Sequence, residues 1–278
     1  MQSWYTFSVE SAVFGERNLV SAAGLVPVRE LAEQTGLSRL IGEHVELPSA
    51  RVASGAVNPS LSIRYRDSGT GAPLVFVHGV YVTGALWDDV VDKLSPQFRC
   101  ITPTWPFGAQ GSPVGPADLT VRAAGRRIAG LLEALDLSDV TLVANDTGGG
   151  VVLSALGDSG LDLGRVSRLV FTNCGSYEHF PPSSFKPLVK LCSVSVTAGA
   201  FMLRALASGP GLRFFASSVT TNGIPSERYP AIFGGFATSA AVRREAARFT
   251  ADLNSRYTLE AAAAIPAWRK PVLLAWGD

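Results

Sequence analysis

The chain has 278 residues, 47% of them hydrophobic and 17% charged, with 24 Lys and Arg against 23 Asp and Glu. That length and apolar content suit one α/β domain with a sizeable core and an insertion or appendage. A formal net charge of +1 gives no field to attract a polyanion, so a nucleic-acid partner is not expected. No apolar run reaches the ~18 residues of a membrane span, and no membrane partner is expected. Cys100, Cys174 and Cys192 lack metal or redox spacing and read as small buried hydrophobes in a reducing compartment. No metal and no cofactor is expected. The N-terminus carries Glu10 and Glu16 and no long apolar run, so a secretory signal is not read there and a cytoplasmic location is expected.

Residues 1–61 differ from the rest. Pro27 suits the first turn of a helix, Gly36 breaks the pattern, and Ser38 suits an N-cap before Arg39-Leu40-Ile41. Two short helices about a Gly turn would make a helix-turn-helix. The run from Asn18 through Asn58-Pro59 resembles the N-terminal part of transposases of the IS1380 type. The segment holds four Arg and six Glu, net −2, the wrong sign for neutralising phosphates. It is read as a fusion scar with its junction near Ser49 to Ser60, expected to pack poorly on residues 62–278.

From residue 62 the pattern alternates strands and helices. Leu74-Val75-Phe76-Val77 is an apolar strand ending in His78-Gly79, and Trp87, Val90, Val91 and Leu94 keep helical spacing. Phe98 to Pro103 is a second strand, followed by a turn-rich loop through Trp105, Gly108 and Gly111. An amphipathic helix at about 118–135 leads into the strand Val140 to Asn145. Val166 to Asn173 and Pro271 to Gly277 are further strands. Such alternation implies a mostly parallel sheet with helices on both faces.

The run Asn145-Asp146-Thr147-Gly148-Gly149-Gly150 carries the chemistry. A β-branched strand ends at a lone carboxylate and glycines come at once after it. This is the layout of a nucleophile held on a sharp strand-to-helix turn. An Asp lifted out of the sheet can attack carbon and form an ester. The same pattern also suits an ordinary strand-to-helix turn whose Asp sits at a helix N-terminus.

His78-Gly79, Trp87, the Gly108/Gly111 loop, Asn145 to Gly149 and the Pro271-to-Gly277 strand resemble, in order and spacing over residues 62–278, the α/β-hydrolase superfamily. The branch resembled has an Asp nucleophile and includes haloalkane dehalogenases and epoxide hydrolases. The resemblance implies Asp146 as nucleophile and the backbone N–H groups of Val80 and Thr147 as an oxyanion hole. It places His78 and Gly79 in the oxyanion loop, His78 as a structural residue. It implies a helical cap over about 175–265 and a small organic halide, epoxide or ester as substrate. Tyr81, Trp105, Phe214, Phe215, Phe233 and Phe236 are candidate pocket residues, and a packed core accounts for them equally well.

The departures also matter. Thr147 stands where dehalogenases usually carry Trp, and Tyr81 where epoxide hydrolases usually carry Pro. The family's base is a His after one more strand than this chain shows, and its acid comes after the last strand. The only His residues are His44, His78 and His179, and Asp278 lies one residue past Gly277. The expectation is an α/β-hydrolase lacking its last strand and helix, with impaired turnover. A different reading is a DNA-binding or transposition-derived protein acting through residues 1–61. On the fusion reading, limited proteolysis should cut first within 1–61; a core fragment that appears no earlier than cuts inside 62–278 would argue for a genuine N-terminal domain.

Overall fold

The structure, a computed structural model, describes residues 50–51, 62–220 and 223–276. The helix pair expected in 1–61, His44, most of the expected junction, and Asp278 lie outside the described residues.

Seven strands form one sheet in the order β1-β2-β4-β3-β5-β6-β7. They are β1 (Ala50–Arg51), β2 (Ser62–Ser68), β3 (Ala72–Val77), β4 (Phe98–Thr104), β5 (Val140–Asn145), β6 (Val166–Thr172) and β7 (Val272–Ala275). β1 and β2 pair antiparallel, as do β2 and β4. Every pairing from β4 through β3, β5 and β6 to β7 is parallel. The sequence pattern missed β2, although Ile63 and Tyr65 alternate with Arg64 and Arg66 at the period of a half-buried strand.

Alternation along the central strands sends side chains to two cores. Leu74 and Phe76 of β3 and Cys100 of β4 pack with Trp87, Val90 and Val91, from a 3-10 turn at Gly84–Trp87 and helix α1 (Asp88–Leu94). Val75, Val77, Ile101, Leu142 and Ala144 join the opposite core. There they meet Ile128 and Leu131 of α2 (Val121–Ala134) and Val151 and Val152 of α3 (Thr147–Leu156). Helices therefore cover both faces, as the near-continuous apolar strands require. α3 is buried almost all round, which explains why its sequence shows no polar stripe.

Between β6 and β7 lies the helical insertion: α4 (Lys186–Val194), α5 (Val196–Leu206), α6 (Gly209–Val219), α7 (Tyr229–Thr238), α8 (Ala240–Ala251) and α9 (Arg256–Ala264). α4 and α5 pack on α8, whereas α9 packs back on α3 in the core layer, beneath Gly157. Polar contacts tie α8 to the loop after β4. The buried Glu245 carboxylate accepts from Gln110 Nε2 at 2.8 Å, Val114 N at 3.0 Å and Gly115 N at 2.8 Å. Arg248 donates to the carbonyls of Gly115 and Ala117. Just beyond α8, Asp252 accepts from Val121 N at 2.8 Å and so caps α2.

These contacts predict the effect of Glu245→Ala. Three donors lose their shared acceptor in a water-poor site, which costs roughly 3 kcal/mol. Denaturant unfolding should show that loss. A change below about 0.5 kcal/mol would mean that water replaces the carboxylate without penalty.

Candidate active site

Strand order reverses at β3, whose neighbours β4 and β5 lie on opposite sides of it. Open α/β sheets bind ligands at the carboxyl ends of strands around such a point. The two motifs meet there: His78-Gly79 continues β3 and Asp146 continues β5.

Asp146 has φ 51° and ψ −128° and precedes the first residue of α3. A non-glycine residue there is strained, and such strain persists only where the surroundings enforce it. The enforcing contacts are glycines. A Cβ on Gly79 would lie 2.9 Å from the Asp146 Cβ and collide with its carboxylate. A Cβ on Gly148 would collide with the Val77 and His78 carbonyls, and side chains at Gly149 and Gly150 would run into Cys174 and Phe180.

The carboxylate accepts hydrogen bonds from the backbone N–H groups of Thr147 and Val80. It also accepts one from the Thr147 hydroxyl at 3.1 Å. Burial pushes the Asp146 pKa up, and these three bonds oppose the rise. Cys174 lies against the turn, its thiol directed to the Ala144 and Thr172 carbonyls and pushed far up by burial. It is an inert packing group, and neighbouring Asn173 occupies the place where some members of the resembled family carry an acid.

His78 is fully buried. Its Nδ1 lies 2.7 Å from the Gly79 carbonyl, and its Nε2 accepts from Trp105 N at 2.8 Å. Both nitrogens are engaged, which sets the neutral tautomer with the proton on Nδ1. Burial lowers its pKa to about 4. It braces the loop and has no free nitrogen for a reaction. His179 is open to solvent beside Glu178, 83% exposed at its side chain. Among the described residues no other His is present.

The aromatic residues divide. Tyr81, at φ 62°, is buried; its hydroxyl bonds Thr250 at 2.6 Å and its ring stacks on Phe236 at 4.6 Å. Burial raises the Tyr81 pKa against the Thr250 bond, and the charges of Cys192 and Asp146 add to the rise. Phe215 and Phe185 also approach Tyr81, and Phe233 is buried behind Phe215. Trp105 is a core residue whose indole N–H donates to the Phe76 carbonyl at 3.0 Å. The pocket role expected for Phe214 does not fit its position, because its side chain is 70% exposed and the next residue, Phe215, turns inward instead. The Tyr81–Thr250 bond spans 169 residues, so no local pattern could have revealed it.

Two pH effects are expected. His78 has a folded pKa of about 4 against 6.5 unfolded. The unfolded chain therefore takes up the proton first, and stability held above pH 6.5 is lost as pH falls towards 4, by about 3 kcal/mol. His78→Gln should flatten that limb of a stability-against-pH curve; an unchanged slope would remove His78 as its cause. Asp146 has the opposite sign for an acid, since its raised folded pKa makes the ionised form a cost at neutral pH. Asp146→Asn should raise the melting temperature at pH 7, and a lower one would show that the charge contributes to folding.

A model of the alpha/beta hydrolase family matches residues 74–278. The chain is 26% identical over 234 residues to a cis-3-alkyl-4-alkyloxetan-2-one decarboxylase of Shewanella oneidensis, covering 77% of this chain and 69% of that protein. It is 33% identical over 91 residues to a haloalkane dehalogenase of Mesorhizobium japonicum, covering 31% of this chain and 28% of that protein. Among solved structures, an alpha/beta hydrolase fold protein from Burkholderia ambifaria superposes with TM-score 0.65 at 21% identity, over 84% of this chain and 81% of that one. A haloalkane dehalogenase from Agrobacterium tumefaciens C58 gives 0.64 at 18%, over 84% and 78%. By the family match over most of its length, the chain belongs to the alpha/beta hydrolase family.

Proposed function

We propose that Asp146 is a nucleophile that takes an alkyl group from a small organic electrophile to form a covalent ester. One observation carries this reading: the Asp146 carboxylate stands on a strained turn with the N–H groups of Val80 and Thr147 both directed to it. A Ser nucleophile would need those donors for the substrate's oxygen. A carboxylate nucleophile brings its own. The oxygen held by the amides becomes the ester carbonyl, and the other attacks carbon. One C–O bond forms, and the bond from that carbon to the leaving atom breaks. The leaving atom departs as halide, or as a ring oxygen that ends as carboxylate or takes a proton from solvent.

The names of the relatives support this substrate class. A haloalkane and an alkyl-substituted oxetan-2-one each offer a carbon bearing a leaving group, in one case within a strained cyclic ester. The apolar surroundings of Tyr81, Phe215 and Phe236 suit alkyl substituents. Burial keeps competing water from the carboxylate, at the cost of a raised pKa.

Releasing the ester needs a water activated by a base. His78 has both nitrogens engaged and a pKa near 4, and the His179 ring is solvent-exposed. The described residues thus supply groups for attack, and among them no His with a free, shielded nitrogen stands ready for release.

Incubation with a reactive alkyl bromide or epoxide should add one alkyl group to the protein, mapped by peptide mass spectrometry to Asp146 and absent in Asp146→Asn. The rate should fall as pH drops through the raised Asp146 pKa. Thr147→Val, which removes one bond to the ionised carboxylate, should move that acid limb to higher pH. Labelling elsewhere with equal speed, or labelling that persists unchanged in Asp146→Asn, would reject the reading.

A further inference from the structure

The outer side of the helical insertion has a composition that catalysis does not use. Between Glu178 and Glu227 the sequence holds Lys186, Lys190, Arg204 and Arg213 and no acidic residue. Four of the chain's 24 cations and none of its 23 acids lie here, so the segment is +4 and the remainder −3. All four cations are exposed, and none forms an ion pair among the described residues. Burial, and then the positive charge of Arg204, lowers the Arg243 pKa, so a further cation of α8 stands near this segment.

The same helices expose large apolar side chains. Val194 is 78% exposed, Phe201 73%, Met202 50% and Phe214 70%, with Val196 and Val219 also open. These are six of the eleven exposed large hydrophobic residues among the described residues, gathered within positions 194–219. Single exposed apolar residues are ordinary. Several of them interleaved with cations on neighbouring helices suit a surface that meets a partner, lipid or protein. α4, α5 and α6 are successive and packed on one another. Their buried residues Cys192, Gly199, Leu203, Leu212 and Ala216 face the protein, and among the described residues the other sides of these helices carry the exposed side chains.

We infer that the outer side of α4, α5 and α6 docks peripherally on an anionic lipid bilayer, with Phe201, Met202 and Phe214 entering the interface and the Lys and Arg side chains meeting the headgroups. Charge selects this occupant. A second copy joined by two-fold symmetry would set these unpaired cations against their own kind, whereas an anionic surface neutralises them. Docking here departs from the expectation, drawn from the sequence, that no membrane is a partner. It involves no span, since no described helix is long and apolar enough to cross a membrane. The inference stands independently of the chemistry at Asp146.

Vesicle co-sedimentation of the full chain tests it, with phosphatidylcholine vesicles set against phosphatidylcholine containing phosphatidylglycerol. The protein should sediment with the anionic vesicles and release from them in high salt. Phe201→Asp with Phe214→Asp should weaken partition at least tenfold, and so should Lys186→Glu with Lys190→Glu. Arg64→Glu with Arg269→Glu makes the same change of net charge at exposed positions away from the patch and should leave partition unchanged. Melting curves confirm that each variant folds. Failure of the wild-type chain to bind anionic vesicles at low salt overturns the proposal. So does equal loss in the Arg64/Arg269 control, which would make binding a matter of net charge alone. A dimer dispersed by Phe201→Asp in sedimentation velocity, without vesicle binding, would assign the face to a second copy and overturn it as well.

Discussion

The backbone at Asp146 is the constraint on which the site rests. A left-handed torsion at a residue with a Cβ costs on the order of 1–3 kcal/mol, more than the local Thr147 bonds to the carboxylate hold in place by themselves. The compensation is packing. α3 enters the sheet layer closely enough that Gly148 touches the β3 carbonyls, Gly149 meets Cys174 and Gly150 meets the Phe180 ring. Each contact excludes a side chain at that glycine, and together they leave the turn no relaxed alternative. Gly79 extends the same logic to the neighbouring loop, where only a hydrogen can face the Asp146 carboxylate.

The second consequence is electrostatic. Close packing removes water from a carboxylate, which alone would favour its neutral form. The same geometry brings the Val80 and Thr147 amides onto that carboxylate. Val80 is placed by the loop that His78 braces, through a neutral imidazole bonded at both nitrogens. His78 thus acts on the site by holding a backbone path, and its lowered pKa results from that burial. The helical insertion is held over the loop by Glu245, Arg248 and Asp252, whose partners are mainly backbone groups of residues 114–121. A loop fastened by its backbone keeps its position whatever side chains it presents.

Much of the architecture was legible in the chain. The β-branched runs before His78 and Asp146, the helical spacing from 121 to 134 and the glycines after Asp146 each have a local cause, so composition and period suffice to place them. Parallel pairing came from the alternation of elements. β2 was not read, although its alternation was present, because charged Arg64 and Arg66 obscure a strand that the sheet needs beside β4. The resemblance carried the cap to about residue 265, whereas the small residues of α9 let it pack against Gly157 of the core.

Short-range rules were enough to single out Asp146 at its strand end and the α/β layering, whereas the amides of Val80 and Thr147 were named through the family resemblance. Those rules are a carboxylate at a strand end, glycines where a turn needs close approach, and apolar period along each element. Long-range packing was needed to join Tyr81 to Thr250, to make Trp105 core, to turn Phe214 out and Phe215 in, and to leave His78 no free nitrogen. Several of those outcomes depend on surfaces that meet across more than a hundred residues of chain, as Tyr81 and Thr250 do. Aromatic residues at adjacent positions carry the same hydrophobic signal, and burial distinguishes them only when the neighbouring helix is in place.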